Sequence, residues 1–226
     1  MTIPIITVDG PGGAGKGTLC FSLAEHLGWH MLDSGALYRV TALAAQREGV
    51  FDGTEEQIGA VAGKLDLVFA PAAEGMTRVL LRGEDITRDI RTEECGAWAS
   101  RVAAMQGVRK ALLDRQRQFA QAPGLVADGR DMGTVVFPHA PLKIFLTASA
   151  QERAERRSRQ LLGRGERVSL RALLETIKER DARDKNRVDS PLVPADDAVI
   201  VDSTGVAAAA VLRTVLEEAK VRQLIG

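Results

Sequence analysis

Nine residues near the start of the chain restrict its fold more than any other feature: Gly10-Pro11-Gly12-Gly13-Ala14-Gly15-Lys16-Gly17-Thr18. Four glycines in the first six positions rule out helix or sheet interior. They allow consecutive backbone N–H groups to curl inward around an anion. The run fits G-x-x-x-x-G-K. It follows Ile3–Val8, a β-branched apolar stretch that predicts a buried parallel strand. It precedes a helix in which Leu19, Leu23 and Leu27 fall at i, i+4, i+8, with Gly28 as its stop. A helix starting near Lys16 points the positive end of its dipole at the bound anion, and Lys16 reaches its outer phosphates. Strand, loop and helix together predict an α/β phosphate-binding domain. The position after Lys16 is Gly17, which has no hydroxyl for a cation; Thr18 follows.

The rest of the chain alternates in the same way. Trp29–Leu32, Leu125–Ala127, Leu142–Leu146 and Ala198–Val201 predict further strands. Helices are predicted at about Ser34–Glu48, Thr92–Met105, Val108–Phe119, Ala150–Leu162, Ser169–Asn186 and Val206–Gln223. Ser34 is expected to cap the second helix. One region breaks the alternation. Leu65, Leu67 and Phe69 alternate, as do Val79 and Leu81, around Pro71-Ala72-Ala73-Glu74-Gly75. This predicts an antiparallel hairpin within an inserted subdomain at 63–92.

Composition narrows the function. A chain of 226 residues suits one large domain with insertions, at ~100–200 residues per domain. Thirty basic side chains balance thirty acidic ones, which argues against stable nucleic-acid binding or an anionic membrane surface. There is no apolar run long enough to span a bilayer and no signal-like leader, so a cytoplasmic location is expected. Cys20 and Cys95 have no metal or disulfide spacing, and His26, His30 and His139 are scattered, so no resident metal site is expected. Cys20, Trp29 and Trp98 read as core or packing residues. Nothing marks an oligomer interface, which leaves a monomer.

Charge is nevertheless uneven. Residues 151–187 hold 12 basic and 7 acidic side chains, an excess of five. Arginines outnumber lysines 23 to 7, and the guanidinium fork binds phosphate through two donors. Arg153, Arg156 and Arg157 share one helical face. Arg180, Asp184 and Arg187 fall at i, i+4, i+7. Between the two sets lies Gly163-Arg164-Gly165-Glu166-Arg167. Helix, basic tip and helix at 153–170 suit a lid that closes over a nucleotide and excludes water. The competing reading is a solvated helix with ion pairs along its face. Arg39, one turn into the second helix, suits either an acceptor phosphate or the surface. Asp128-Gly129-Arg130-Asp131 ends a strand, where open α/β sheets bind ligands. A GTPase is disfavoured: its guanine-reading motif N-K-x-D needs an asparagine, and the single one here stands in Asn186-Arg187-Val188-Asp189.

On these segments the chain resembles bacterial cytidylate kinases, a branch of the nucleoside monophosphate kinases. The resemblance is carried by Asp9-Gly10-Pro11, Leu32–Arg39, Ile90-Arg91-Thr92-Glu93, Ala127–Pro138, Ile177–Asp181 and Asn186-Arg187, together with the G-K-G-T form of the loop. It implies a three-layer P-loop fold with a parallel central sheet, an antiparallel NMP-binding insertion and a helical lid. It implies phosphoryl transfer from ATP to CMP or dCMP with Mg²⁺. Carried over by residue, Gly10–Thr18 would hold the ATP phosphates, and Arg39 and Arg130 the CMP phosphate. Ser34, Arg109, Asp131 and Arg187 would surround cytosine, and Ser100, Arg180 and Asp184 the sugar. Lys16, Arg130, Arg157 and Arg187 would serve the transferred group. The ion would be held mostly by water and phosphates. Asp131 can accept from the cytosine N4 amine, whereas uracil would set a carbonyl oxygen against it. Two rivals remain at this point: another small-molecule P-loop kinase and a non-catalytic ATP-gated binding module.

Overall fold

A computed structural model describes residues 3–71, 77–163 and 165–225. The chain forms two compact units, one of Met1–Leu32 with Phe119–Gly226 and one of Asp33–Gln118.

The first unit is built on a five-stranded sheet. Its strands are β1 (Ile5–Asp9), β2 (His30–Asp33), β6 (Leu125–Gly129), β7 (Leu142–Thr147) and β8 (Val199–Asp202), in the order β2-β6-β1-β7-β8. β1 runs parallel to both β6 and β7, and β7 parallel to β8. The near-continuous apolar sequences of β1, β6 and β7 suit strands buried on both faces. The core joins Ile6 and Val8 of β1, Val126 of β6, and Ile144 and Leu146 of β7. To these it adds Leu19 and Leu23 of α1 (Lys16–Leu27), and Val211 and Val215 of α8 (Ala208–Val221). Each such side chain, fully buried, contributes about 1.5–3 kcal/mol. Helices α6 (Ala150–Leu162) and α7 (Leu170–Lys185) pack on each other through a smaller cluster of Ala154, Leu161 and Leu173.

Cys20 is buried in the core, as expected. Trp29 is a packing residue too: a Cβ on Gly124 would stand 2.4 Å from its ring. Gly28 ends α1 in the left-handed conformation, φ 64°.

The second unit holds α2 (Ser34–Arg47), α3 (Glu55–Gly63), α4 (Glu93–Val102), α5 (Gln106–Arg117) and an antiparallel sheet. The sheet has three strands, β3 (Leu67–Pro71), β4 (Thr77–Leu81) and β5 (Glu84–Asp85), in that order. In register, Leu67 faces Leu81 and Phe69 faces Val79. Most of the connecting turn, Ala72–Gly75, lies outside the described residues, as does Arg164 in the expected lid tip. α2 packs on α4, and α3 on α5. Trp98 meets Phe51 at 5.8 Å between ring centroids.

Two local expectations are corrected. The cap of α2 is Asp33, whose carboxylate accepts from the Ala36 amide at 3.0 Å; Ser34 is the first helical residue. Arg187 does not share a helical face with Arg180 and Asp184, because α7 stops at Lys185 and Asn186 caps it. Helix α3 was not foreseen at all. Its signal was present in Thr54-Glu55-Glu56-Gln57, where side chains and amides of Thr54 and Gln57 bond reciprocally.

Candidate active site

The glycine-rich loop follows from the end of β1. Gly10 has φ 148°, and a Cβ there would stand 2.0 Å from the Leu146 carbonyl oxygen, so no other residue fits beside β7. Gly15, also left-handed, precedes α1 and supplies no side-chain cap. The first amides of the helix therefore face the loop without a side-chain oxygen on them, as an anion site requires.

The loop's carbonyls are held from outside. Arg153 of α6 donates to Gly12 O at 3.1 Å and to the Asp181 carboxylate. Arg156 donates to Ala14 O at 3.3 Å, and the Ser203 hydroxyl donates to the same oxygen at 2.9 Å. With carbonyls 12 and 14 anchored in this way, the loop is shaped before a ligand arrives. Arg153 and Arg156 thus brace the loop. Their signal in the sequence was only the arginine spacing on one helical face. Arg157, expected to serve the transferred group, is half-buried and donates to Gln160 Oε1 at 3.1 Å.

Lys16 is buried, donates to Pro11 O at 3.1 Å, and sits 3.8 Å from Asp128 Oδ1. Burial lowers its pKa to about 8; the Arg130 charge adds to this and Asp128 opposes it. A Cβ on Gly17 would be 3.7 Å from the other oxygen of Asp128. So the carboxylate at the end of β6 faces both Lys16 and the start of α1. The sequence marks Asp128 only by its place at a strand end.

The register β1–β6 pairs Val8 with Asp128 and Asp9 with Gly129, and so brings Arg130 and Asp131 out at the carboxyl end of the sheet. A Cβ on Gly12 would stand 3.4 Å from Arg130 Nη2 and 3.6 Å from Arg180 Cζ. Two arginines from distant segments therefore converge on the phosphate loop. Arg130 Nε donates to Asp184 Oδ2 at 2.9 Å, and Arg187 Nε donates to the Asp184 carbonyl at 3.4 Å. Burial alone would raise the Asp184 pKa, but Arg130, Arg180 and Arg187 together hold it below the usual carboxylate range. Asp184 stays anionic and aligns the guanidinium of Arg130. Asp131 is buried beside this group.

The second unit gathers the remaining candidates. Ser34 and Ser100 are buried, on α2 and α4. Arg39 of α2 donates to Ile90 O at 2.6 Å and to Thr92 O at 3.1 Å. Arg109 of α5 donates to Ala103 O at 3.3 Å and lies 5.8 Å from the centroid of the Tyr38 ring. Among the described residues no group of three or more metal-binding side chains occurs, and no helix is long and apolar enough to cross a membrane.

The cytidylate kinase family pattern matches residues 6–221. A cytidylate kinase of Shewanella frigidimarina is 59% identical over 215 residues, 95% of this chain and 94% of the relative. One of Pseudomonas fluorescens is 55% identical over 224 residues, 99% and 98% of the two chains. One of Edwardsiella ictaluri is 58% identical over 218 residues, 96% of each. A match that runs from the first core strand through the last helix, and so includes the loop, Arg130–Asp131 and Arg180–Arg187, places the chain in the cytidylate kinase family.

Proposed function

We propose that this chain transfers the γ-phosphoryl group of ATP to CMP or dCMP, giving ADP and CDP or dCDP. The observation that carries the reading is the convergence of Arg130 and Arg180 on Gly12, with Asp184 fixing Arg130. A phosphate loop binds a donor; cations aimed at its rim are what a transferred phosphoryl group needs.

The bond from phosphorus to the ADP leaving oxygen breaks as a bond to a CMP phosphate oxygen forms. That acceptor oxygen is already anionic, so no general base is required, and positioning with charge neutralisation accounts for the rate. Backbone amides of Gly10, Gly12, Gly13, Ala14, Gly15, Gly17 and Thr18 hold the ATP phosphates, Pro11 lends the loop shape but no N–H, and Lys16 binds the outer phosphates. Arg130 and Arg39 take the CMP phosphate. Ser34, Arg109, Asp131 and Arg187 surround the base, and Ser100, Arg180 and Asp184 the sugar. Arg157 joins Arg130 and Arg187 on the transferred group as the lid closes. The carboxylate of Asp128, which faces Lys16 and Gly17, fits Mg²⁺, an ion that keeps most of its waters and binds through one or two carboxylates plus phosphates. When bound, the ion neutralises charge on the β- and γ-oxygens. The protein is read as a cytoplasmic monomer acting on small nucleotides, with no stable nucleic-acid or membrane partner; its zero net charge supports the absence of those two partners.

The test is release of ADP from ATP and Mg²⁺ with CMP, dCMP, UMP and AMP as acceptors. CMP and dCMP should turn over strongly and UMP weakly. Asp131→Ala should lose on the order of 10²-fold in kcat/KM with CMP and little with UMP. Preferred turnover of UMP or AMP would keep a phosphoryl transferase and overturn the acceptor assignment.

A further inference from the structure

Asp9 has no place in the machinery above, yet its surroundings are specific. It is the last residue of β1 and only 5% exposed. One carboxylate oxygen accepts from the Met132 amide at 2.8 Å and the other from the Gly133 amide at 2.8 Å. Those are the first two amides of a π-helical turn, Met132–Val136, whose N-cap residue is Asp131. An aspartate at an N-cap ordinarily turns its carboxylate onto the second or third amide of the helix, and Gly133 is the second. Asp131 makes no such capping bond. The cap comes instead from a neighbouring strand, across the pair Asp9–Gly129 of the β1–β6 ladder.

We infer that Asp9 is a positioning residue for base selection: by capping the turn in place of Asp131, it keeps the Asp131 carboxylate directed at the cytosine amine. The inference rests on the proposal that Asp131 reads the base. A Cβ on Gly133 would stand 2.9 Å from Thr7 Oγ1, so the turn is packed closely against β1 and is held by Asp9 at its start. The charged groups that face Asp9 are Asp131 and Lys16. Burial pushes its carboxyl up to about 7, against the two amide bonds and Lys16, and Asp131 adds to the rise.

The experiment measures kcat/KM for CMP and for UMP in Asp9→Ala, Asp9→Asn, Asp131→Ala and the double variant Asp9→Ala/Asp131→Ala. Affinity for a non-hydrolysable ATP analogue is measured alongside. Asp9→Ala should lower the CMP-to-UMP ratio by about tenfold, the scale of one misplaced hydrogen bond. Asn keeps one acceptor oxygen and should lose less. In the double variant, Asp9→Ala should add nothing to the loss from Asp131→Ala, because it acts through that residue. An unchanged ratio in folded Asp9→Ala, or additive losses, would overturn the role of Asp9 while leaving the base reader intact. An unchanged ratio in Asp131→Ala would remove the base reader itself and Asp9's role with it.

Should the Asp9 variants fail to fold, the wild-type ratio between pH 8 and pH 6 decides. Protonation of Asp9 removes one of its two acceptors, so the ratio should fall several-fold with a midpoint near 7. Ionisation of the nucleotide phosphate is common to CMP and UMP and cancels. A flat ratio would overturn the proposal.

Discussion

Lys16 is a buried ammonium held near its carbonyl partner Pro11 and the carboxylate of Asp128. Burial, and after it the Arg130 charge, brings its pKa down to about 8, so at pH 8 about half of it is neutral. Nucleotide phosphates placed against it favour the charged form and return the pKa towards 10.5. The binding of ATP at pH 8 should therefore take up as much as about half a proton through this residue. Calorimetric titration in buffers of different ionisation enthalpy measures the uptake. Lys16→Met should abolish that component, and an unchanged proton count in the variant would assign it elsewhere. The loop containing Lys16 could be recognised from nine consecutive letters because its chemistry is local. Its supports could not. Asp9 meets Met132 across 123 positions and Arg153 meets Gly12 across 141. Such roles arise only when the sheet brings strand ends together, and a lone aspartate or a periodic arginine carries no mark of that.

Elements were legible where a long period ran uninterrupted. α6 begins and ends where its spacing predicts, at Ala150 and Leu162, and β1, β6 and β7 follow their apolar runs. Short elements escaped for physical reasons. α3 has nine residues with Gly59 and Gly63 among them, which dilutes a stripe of Ile58, Val61 and Ala62. β5 has two residues and exists through its pairing with β4. The π-helical turn depends on a cap donated from β1. The strand starts are set by equally tight contacts. The Gly124 carbonyl accepts from the His30 amide at 2.9 Å, while the Trp29 ring lies where a Cβ at 124 would go, 2.4 Å away. Gly124→Ala should thus force the indole or the backbone to move and cost about 1–3 kcal/mol in urea unfolding. Gly124→Ala/Trp29→Leu should recover part of that loss by relieving the overlap. A loss in the double variant equal to the sum of the two single losses would mean that the ring is not the obstacle.

At the scale of the whole molecule, stability and function make opposite demands on pH, and Asp9 connects them. Its folded pKa, about 7, lies above its ordinary value of 3.8. Between these values the native state binds a proton that the unfolded chain does not, so stability must rise as pH falls from 7 towards 4 and be lost as pH rises through 7. Carboxylates with lowered values act the other way. Asp184, held by its arginines against the cost of burial, and Asp202, bonded by Thr204, support the fold above about pH 4 and lose that support below it. Lys16, lowered from 10.5 to about 8, adds stability only as pH rises above 8. The ligand-free protein should accordingly have a higher Tm at pH 5.5 than at pH 7.5, and a falling one below pH 4. Asp9→Asn, which cannot titrate, should flatten the rise between 7.5 and 5.5 and leave the acid limb in place. The form of Asp9 that holds both amides of the turn is the charged one, populated above pH 7, where the fold is least helped by it. A buried carboxylate retained at that cost is a residue kept for what it positions. If scanning calorimetry showed the same slope with and without Asp9, its charge would have to be relieved by some other group, and the opposition between stability and base reading would disappear with it.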